Sequence, residues 1–195
     1  MKFSVSEITE LIRHRRTIFP KDCTDREVHR EIVERVLSNG TWAPTHGLTQ
    51  PWRFIVFTGA ARERLSKFLG EEYARRTPPE KFLQRKFEAI AQRPMQSSVA
   101  VAVGMVRDPN GKISESDELL AVACAVQNMH LTCAAYGLGG FWNTTGAMTG
   151  TALRDFLGLG ENGKALGVFF IGYPAIEWPR SHRKPLDQVT TWLDA

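Results

Sequence analysis

The sequence predicts an α+β fold. Helical and strand patterns alternate irregularly along 195 residues, with helices outnumbering strands. The strand-like runs are short, apolar and bounded by turn signals. No internal repeat or low-complexity tract interrupts them, so the chain reads as one domain, 1–195.

The elements follow in order. Ser4-Val-Ser-Glu7 has the form of a capping box, and Ile8, Leu11 and Ile12 continue on one helical face. Thr24-Asp-Arg-Glu27 reads as a second capping box, with Val28, Ile32, Val33, Val36 and Leu37 as its stripe and Asn39-Gly40 as its stop. Thr41–Pro51 carries Pro44, Gly47 and Pro51 and is a loop. Trp52–Thr58 is rich in aromatic and β-branched residues and predicts a strand. Ala60–Arg76 and Lys81–Gln92 predict helices, separated by Thr77-Pro-Pro-Glu80. Phe82 and Phe87 fall at core spacing in the second. Ser98–Val106 is a buried strand and Asp108–Gly111 a turn.

Glu115–Tyr136 is a long helix, apolar on nearly every side. It therefore belongs at the centre of the fold or in a subunit interface. Gly139–Thr144 and Ala165–Tyr173 complete the strands, with a short helix at Thr151–Leu157 between them. The tail is polar until a short helix near Leu186–Leu193.

Composition narrows the function. The net charge is +4, from 25 basic and 21 acidic residues scattered over the chain. With no nucleic-acid motif present, this argues against a nucleic-acid binder. The first sixteen residues already hold six charged side chains (Lys2, Glu7, Glu10, Arg13, Arg15 and Arg16) and no apolar export core, and the 119–138 helix is broken by Gln127, Asn128 and His130. No membrane partner is expected. Cys23, Cys124 and Cys133 show no CxxC spacing and read as free thiols, small core residues of a cytoplasmic protein. The five histidines never take metal-site spacing, so no metal is expected. Gly158-Leu-Gly-Glu-Asn-Gly163 spells the dinucleotide fingerprint, but it follows a helix and opens a strand, so it is a helix stop and turn.

Four segments carry chemistry. His14-Arg15-Arg16-Thr17 and Arg180-Ser-His-Arg183-Lys184 are basic clusters at helix ends or in loops. They suit either an oxyanion or plain solvation. Ala43-Pro-Thr-His-Gly-Leu-Thr-Gln-Pro-Trp52 is a Pro-stiffened polar loop leading into a strand, a common place for ligand contacts. Gly137-Leu-Gly-Gly-Phe-Trp-Asn-Thr-Thr-Gly146 ends in small polar residues able to meet a flat polar ring.

In chain order, Arg15-Arg16-Thr17, the 43–54 stretch, the 137–146 stretch, Ile171-Gly-Tyr-Pro174 and the 182–189 stretch together resemble the nitroreductase family over nearly the full chain. The resemblance implies a central, mostly antiparallel sheet flanked by helices, in an intertwined homodimer with FMN at the subunit interface. It implies an FMN-dependent oxidoreductase moving a hydride from NADH or NADPH through FMN to a small acceptor (a nitroaromatic, quinone or enone) by a ping-pong cycle.

The site carries over by position. Arg15, Arg16 and Thr17 are expected on the phosphate, ribityl chain and pyrimidine edge, with one of the two arginines near N1 and O2. His46 and Gln50 supply polar contacts. Asn143, Thr144, Thr145 and Gly146 lie over the ring with Trp142 beside them, and Arg183 and Lys184 close on the phosphate. The chemistry resides on FMN, so no catalytic side chain is named. Leu48 stands where family members commonly have Asn. The 71–93 segment is expected to form a helical substrate cap, and 174–195 a C-terminal extension. Reductive dehalogenation or other flavin chemistry on this fold, and a non-enzymatic FMN-binding protein, are the alternatives.

Overall fold

The computed structural model describes residues 3–193. Helices α1 (Val5–His14), α2 (Arg30–Gly40), α3 (Ala61–Arg76), α4 (Gln84–Gln92), α5 (Glu115–Ala135) and α6 (Thr151–Phe156) surround strands β1 (Trp52–Phe57), β2 (Val99–Val106), β3 (Gly139–Asn143) and β4 (Gly163–Gly172). The four strands form one antiparallel sheet in the order β1-β2-β4-β3.

The sheet is covered on both faces, which explains why β2 is an unbroken apolar run rather than an alternating one. Val99, Val101, Val103 and Met105 pack on α2 and α5, through Val36, Val122, Ala125 and Met129. Ala100 and Ala102 face the other way, onto Leu65, Leu69, Tyr73 and Leu153 of α3 and α6. Phe82 and Phe87 join this second layer as expected. Phe82 lies 5.5 Å from the Tyr73 ring and 6.0 Å from Phe87.

The first capping box forms: Ser4 Oγ accepts from Glu7 N at 3.3 Å. The second does not. Thr24 Oγ1 accepts instead from Arg26 N, and α2 begins only at Arg30. The reason is tertiary: the Val28 N–H donates to Ser98 Oγ at 2.7 Å, which ties residue 28 to the start of β2 before the helix can open. The expected helix near Leu186–Leu193 is likewise reduced to a 3₁₀ turn at Leu186–Gln188.

The Gly158–Gly163 segment does stop a helix. Gly158 and Gly160 have φ of 66° and 72°, and Gly163 N donates to Gly160 O.

A bulge breaks the β2–β4 register between Val103 and Gly104. Opposite it, Gly167 has φ 131°, and a Cβ there would stand 2.5 Å from Asn143 O. Only glycine lets β3 and β4 close at this point.

Candidate flavin site

Thr17 pairs with Gly140 as an isolated parallel bridge, and Ile18 N donates to Gly140 O at 3.2 Å. The basic segment 14–17 is thereby fastened alongside β3, whose end carries Asn143–Gly146.

The C-terminal segment comes to the same place. His14 stacks on Trp178 with centroids 5.1 Å apart, and the Trp178 indole N–H donates to His14 O. Arg16 Nε donates to Pro179 O at 2.7 Å. These contacts bring Arg183 to Arg15, so the two basic clusters converge although they lie far apart in sequence. With Ile12, Arg13, Gln127 and Ser181 they line a groove of about 490 Å³. Among the described residues, no carboxylate lines it. Arg15 is held below the usual arginine pKa first by burial, then by the charges of Arg183 and Arg16. Adjacent guanidiniums with no counter-charge make a ready oxyanion seat.

The two arginines of the motif differ. Arg16 spends Nε on Pro179 O and Nη1 on the carbonyls of Arg13 (2.5 Å) and Arg15 (2.9 Å). Among the described residues, Arg15 has no hydrogen-bonded side-chain partner. Arg16 therefore builds the groove, and Arg15 presents charge into it. Lys184 is exposed and stands outside the lining.

At the end of β3 the segment is divided in the same way. Asn143 is buried, and its Oδ1 accepts from Thr145 N (3.0 Å) and Thr145 Oγ1 (2.9 Å), an Asx turn. Trp142 packs on the first core layer, and its Nε1 is buried without a partner among the described residues. These two residues brace the turn from within. Thr144, Thr145 and Gly146 are what it exposes. Beside Gly140 of β3 lies His130, 8% exposed, edge-on to Phe169 with ring centroids 4.6 Å apart. Its Nδ1 has no partner among the described residues, and burial followed by the Arg15 charge pushes its pKa down to about 4.

His46 and Gln50 are not brought to these residues within one chain. His46 Nδ1 meets Asp117 Oδ2 at 3.1 Å, at the start of α5. That hydrogen bond, with one from Ser114, lowers the Asp117 pKa. Gln127, on the Arg15 groove, lies ten residues further along the helix, about 15 Å away. The 43–51 loop is strained: Leu48 and Gln50 have φ of 54° and 45°, in the left-handed region that disfavours side chains. Leu48 is also 79% exposed.

Two groups escaped the sequence reading. Arg93 and Lys86 line a pocket of about 330 Å³ between α3, α4 and the 145–148 turn. A signal existed: neither has an acidic residue three or four positions away, whereas Arg30 and Lys67 each have Glu at i+4. Cys124 also corrects the expectation of core cysteines. It is exposed on α5, while Cys133 is buried, with its thiol pushed up to about 12.

The family model described as "Nitroreductase family" matches residues 12–173, from the end of α1 to just beyond β4. The chain belongs to the nitroreductase family. The nitrobenzene nitroreductase of Ectopseudomonas oleovorans is 28% identical, with 95% of this chain and 96% of that protein covered. A nitroreductase-like family protein from Bacillus cereus superposes with a TM-score of 0.81 at 22% identity, covering 100% of both chains. The FMN-dependent nitroreductase NfnB of Mycobacterium smegmatis, solved in complex with NADPH, superposes at 0.74 with 18% identity, covering 98% of this chain and 100% of that one. The nitroreductase fold, helices around an antiparallel sheet, is thus the one the sequence predicts.

Proposed function

We propose that the protein is an FMN-dependent oxidoreductase that carries a hydride from NAD(P)H to a small organic acceptor by a ping-pong cycle. One observation carries the reading: Arg15 and Arg183 converge on a groove that no carboxylate among the described residues lines, and Thr17 ties the same segment to β3, whose end exposes Thr144, Thr145 and Gly146. That pairing fits a phosphate at one end and a polar ring at the other. The family membership and the FMN and NADPH named for the M. smegmatis enzyme support it.

Bound FMN would supply the two-electron chemistry. Arg15 and Arg183 would hold its phosphate, with Lys184 closing from outside and Arg16 keeping the groove in shape. Thr17 offers a hydroxyl beside β3. Thr144, Thr145 and Gly146 would meet the ring, braced by Trp142 and Asn143. The positive field of the arginine cluster favours the negative charge that develops on reduction.

The site is completed by a second copy of the chain. Val5, Ile8 and Ile12 of α1 are 77%, 46% and 52% exposed, and Leu119 and Leu120 of α5 are 41% and 59% exposed. α1 packs beside α5, so these residues form an uncovered apolar face. In a two-fold dimer, a residue near one end of α5 meets the other end of its mate. That arrangement would carry the partner's 43–51 loop, with His46 and Gln50, to the Arg15 groove. The α3–α4 segment, within 71–93, would cap the acceptor's entrance, and 174–195 is the extension that delivers Arg183. Three unpaired thiols favour a cytoplasmic protein. No helix among the described residues is long and apolar enough to cross a membrane.

The deciding experiment is the visible spectrum of the purified protein under anaerobic titration with NADH and then NADPH. Flavin bands should bleach, and return on adding a nitroaromatic or quinone. A colourless protein unable to take up FMN overturns the reading. Full flavin occupancy without bleaching assigns a binding protein instead. A concentration-independent monomer in sedimentation refutes the dimer.

A further inference from the structure

The pocket between α3, α4 and the 145–148 turn is cationic on one side and apolar on the other. Arg76, Lys86 and Arg93 line it, and among the described residues no carboxylate does. Arg76 is already used: its Nη1 donates to Gly146 O at 2.8 Å and to Thr149 O at 3.3 Å, and Glu72 lies 3.8 Å away. It fixes the turn that closes the pocket.

Arg93 and Lys86 are not used. Neither has an ion-pair partner among the described residues. The Arg93 guanidinium is half-buried over the Phe141 ring at 5.8 Å, and burial lowers its pKa. The Lys86 ammonium stands 5.6 Å from the Tyr73 ring. A guanidinium half withdrawn from water without a counter-charge is costly to keep, and an oxyanion on Arg93, within reach of the exposed Lys86 on the same pocket wall, relieves that cost. Tyr73, Ile90, Ala147 and Met148 offer the remaining wall, which suits the face of a ring. Thr145 and Gly146 belong both to this pocket and to the proposed ring contacts, so a molecule seated here adjoins the flavin.

We propose that this pocket receives the carboxylate of a small aromatic acid, with Arg93 and Lys86 selecting anionic acceptors over neutral ones of the same shape. The proposal rests on the flavin-enzyme reading for its redox role, though not for binding. An oxyanion could also come from the donor, as the 2′-phosphate of NADPH. The test separates the two.

The holoenzyme, Arg93→Gln, Arg93→Lys and Lys86→Gln are assayed with NADH against 4-nitrobenzoate and nitrobenzene. Binding of benzoate, which carries no reducible group, is measured by calorimetry. Loss of one charge-assisted contact predicts that Arg93→Gln lowers kcat/KM for 4-nitrobenzoate about tenfold or more, with nitrobenzene changed less than about twofold. Lys86→Gln acts in the same direction, Arg93→Lys retains part of the preference, and benzoate binding weakens in parallel. Equal loss for both acceptors, or an unchanged ratio, overturns the proposal. A changed NADPH-to-NADH preference with an unchanged acceptor ratio overturns it too, giving the charge to the donor. If the wild type reduces neither acceptor, the redox reading fails. Benzoate binding that depends on Arg93 would still support the pocket, and its absence would refute it.

Discussion

Lowering the pH should weaken this protein through one residue, His130. The imidazole is buried beside Phe169 and Gly140, its Nδ1 has no partner, and its pKa is pushed down to about 4, first by burial and then by the Arg15 charge. Above the ordinary histidine pKa of 6.5, folded and unfolded chains both carry it neutral. Below that value the unfolded chain takes up a proton that the folded chain refuses until about pH 4. Stability therefore falls as pH drops across this window and levels off beneath it. Each pH unit within it is worth about 1.4 kcal/mol, so going from about pH 7.5 to about pH 5 removes roughly 2 kcal/mol.

The comparison variant is His130→Leu, which removes both the proton site and the orphaned nitrogen. Near pH 7.5 the two proteins should differ by no more than about 1 kcal/mol, because lost packing opposes the relief of an unsatisfied polar atom. Near pH 5 the variant should be the more stable by roughly 2 kcal/mol. Urea unfolding at fixed protein and FMN concentrations across this range measures the difference. Parallel stability–pH curves for the two proteins would refute the reasoning, since every other titrating group is common to both.

Other outcomes follow from the same geometry. Arg16→Ala removes the contact to Pro179 O and loosens the segment carrying Arg183. Flavin content after gel filtration should fall, and equal content in variant and wild type counts against the role. Leu48→Asn relieves an apolar side chain held at φ 54° and should raise stability by roughly 1 kcal/mol, read as an increase in Tm. Gly167→Ala drives a Cβ into Asn143 O at 2.5 Å and should cost more than about 3 kcal/mol, or prevent folding; a soluble variant with wild-type Tm would show that β3 and β4 can separate there without penalty. Leu120→Asp places a charge on the uncovered α5 face and should lower dimer content and flavin content together, as seen by sedimentation with absorbance detection.

The sequence and the structure agree where local pattern and tertiary demand coincide. The strands β1, β2 and β4 are apolar runs closed by turn residues, and each appears within two residues of its expected bounds. They part where a distant group intervenes. Ser98 captures the Val28 N–H and cancels a capping box that is correct by letter. The convergence of Arg15 with Arg183 depends on Trp178 stacking on His14, a contact with no local signature. The motif residues stand out in the sequence as a set, but which of them the fold buries does not. Asn143 and Trp142 look like ring contacts in sequence, whereas the fold turns them inward and leaves the exposed face to Thr144–Gly146.

The contact between Arg16 and Pro179 spans 163 residues, and it also sets a time. A ribosome adding about 5–20 residues per second needs roughly 10 to 30 s between making the first half of the anion groove and the second. Through that interval Arg15 is present without Arg183 and without the Trp178 clasp. A ligand that needs both halves of the groove is then captured only after residue 183 has been made, when all four strands of the sheet are already synthesised and can fold without it.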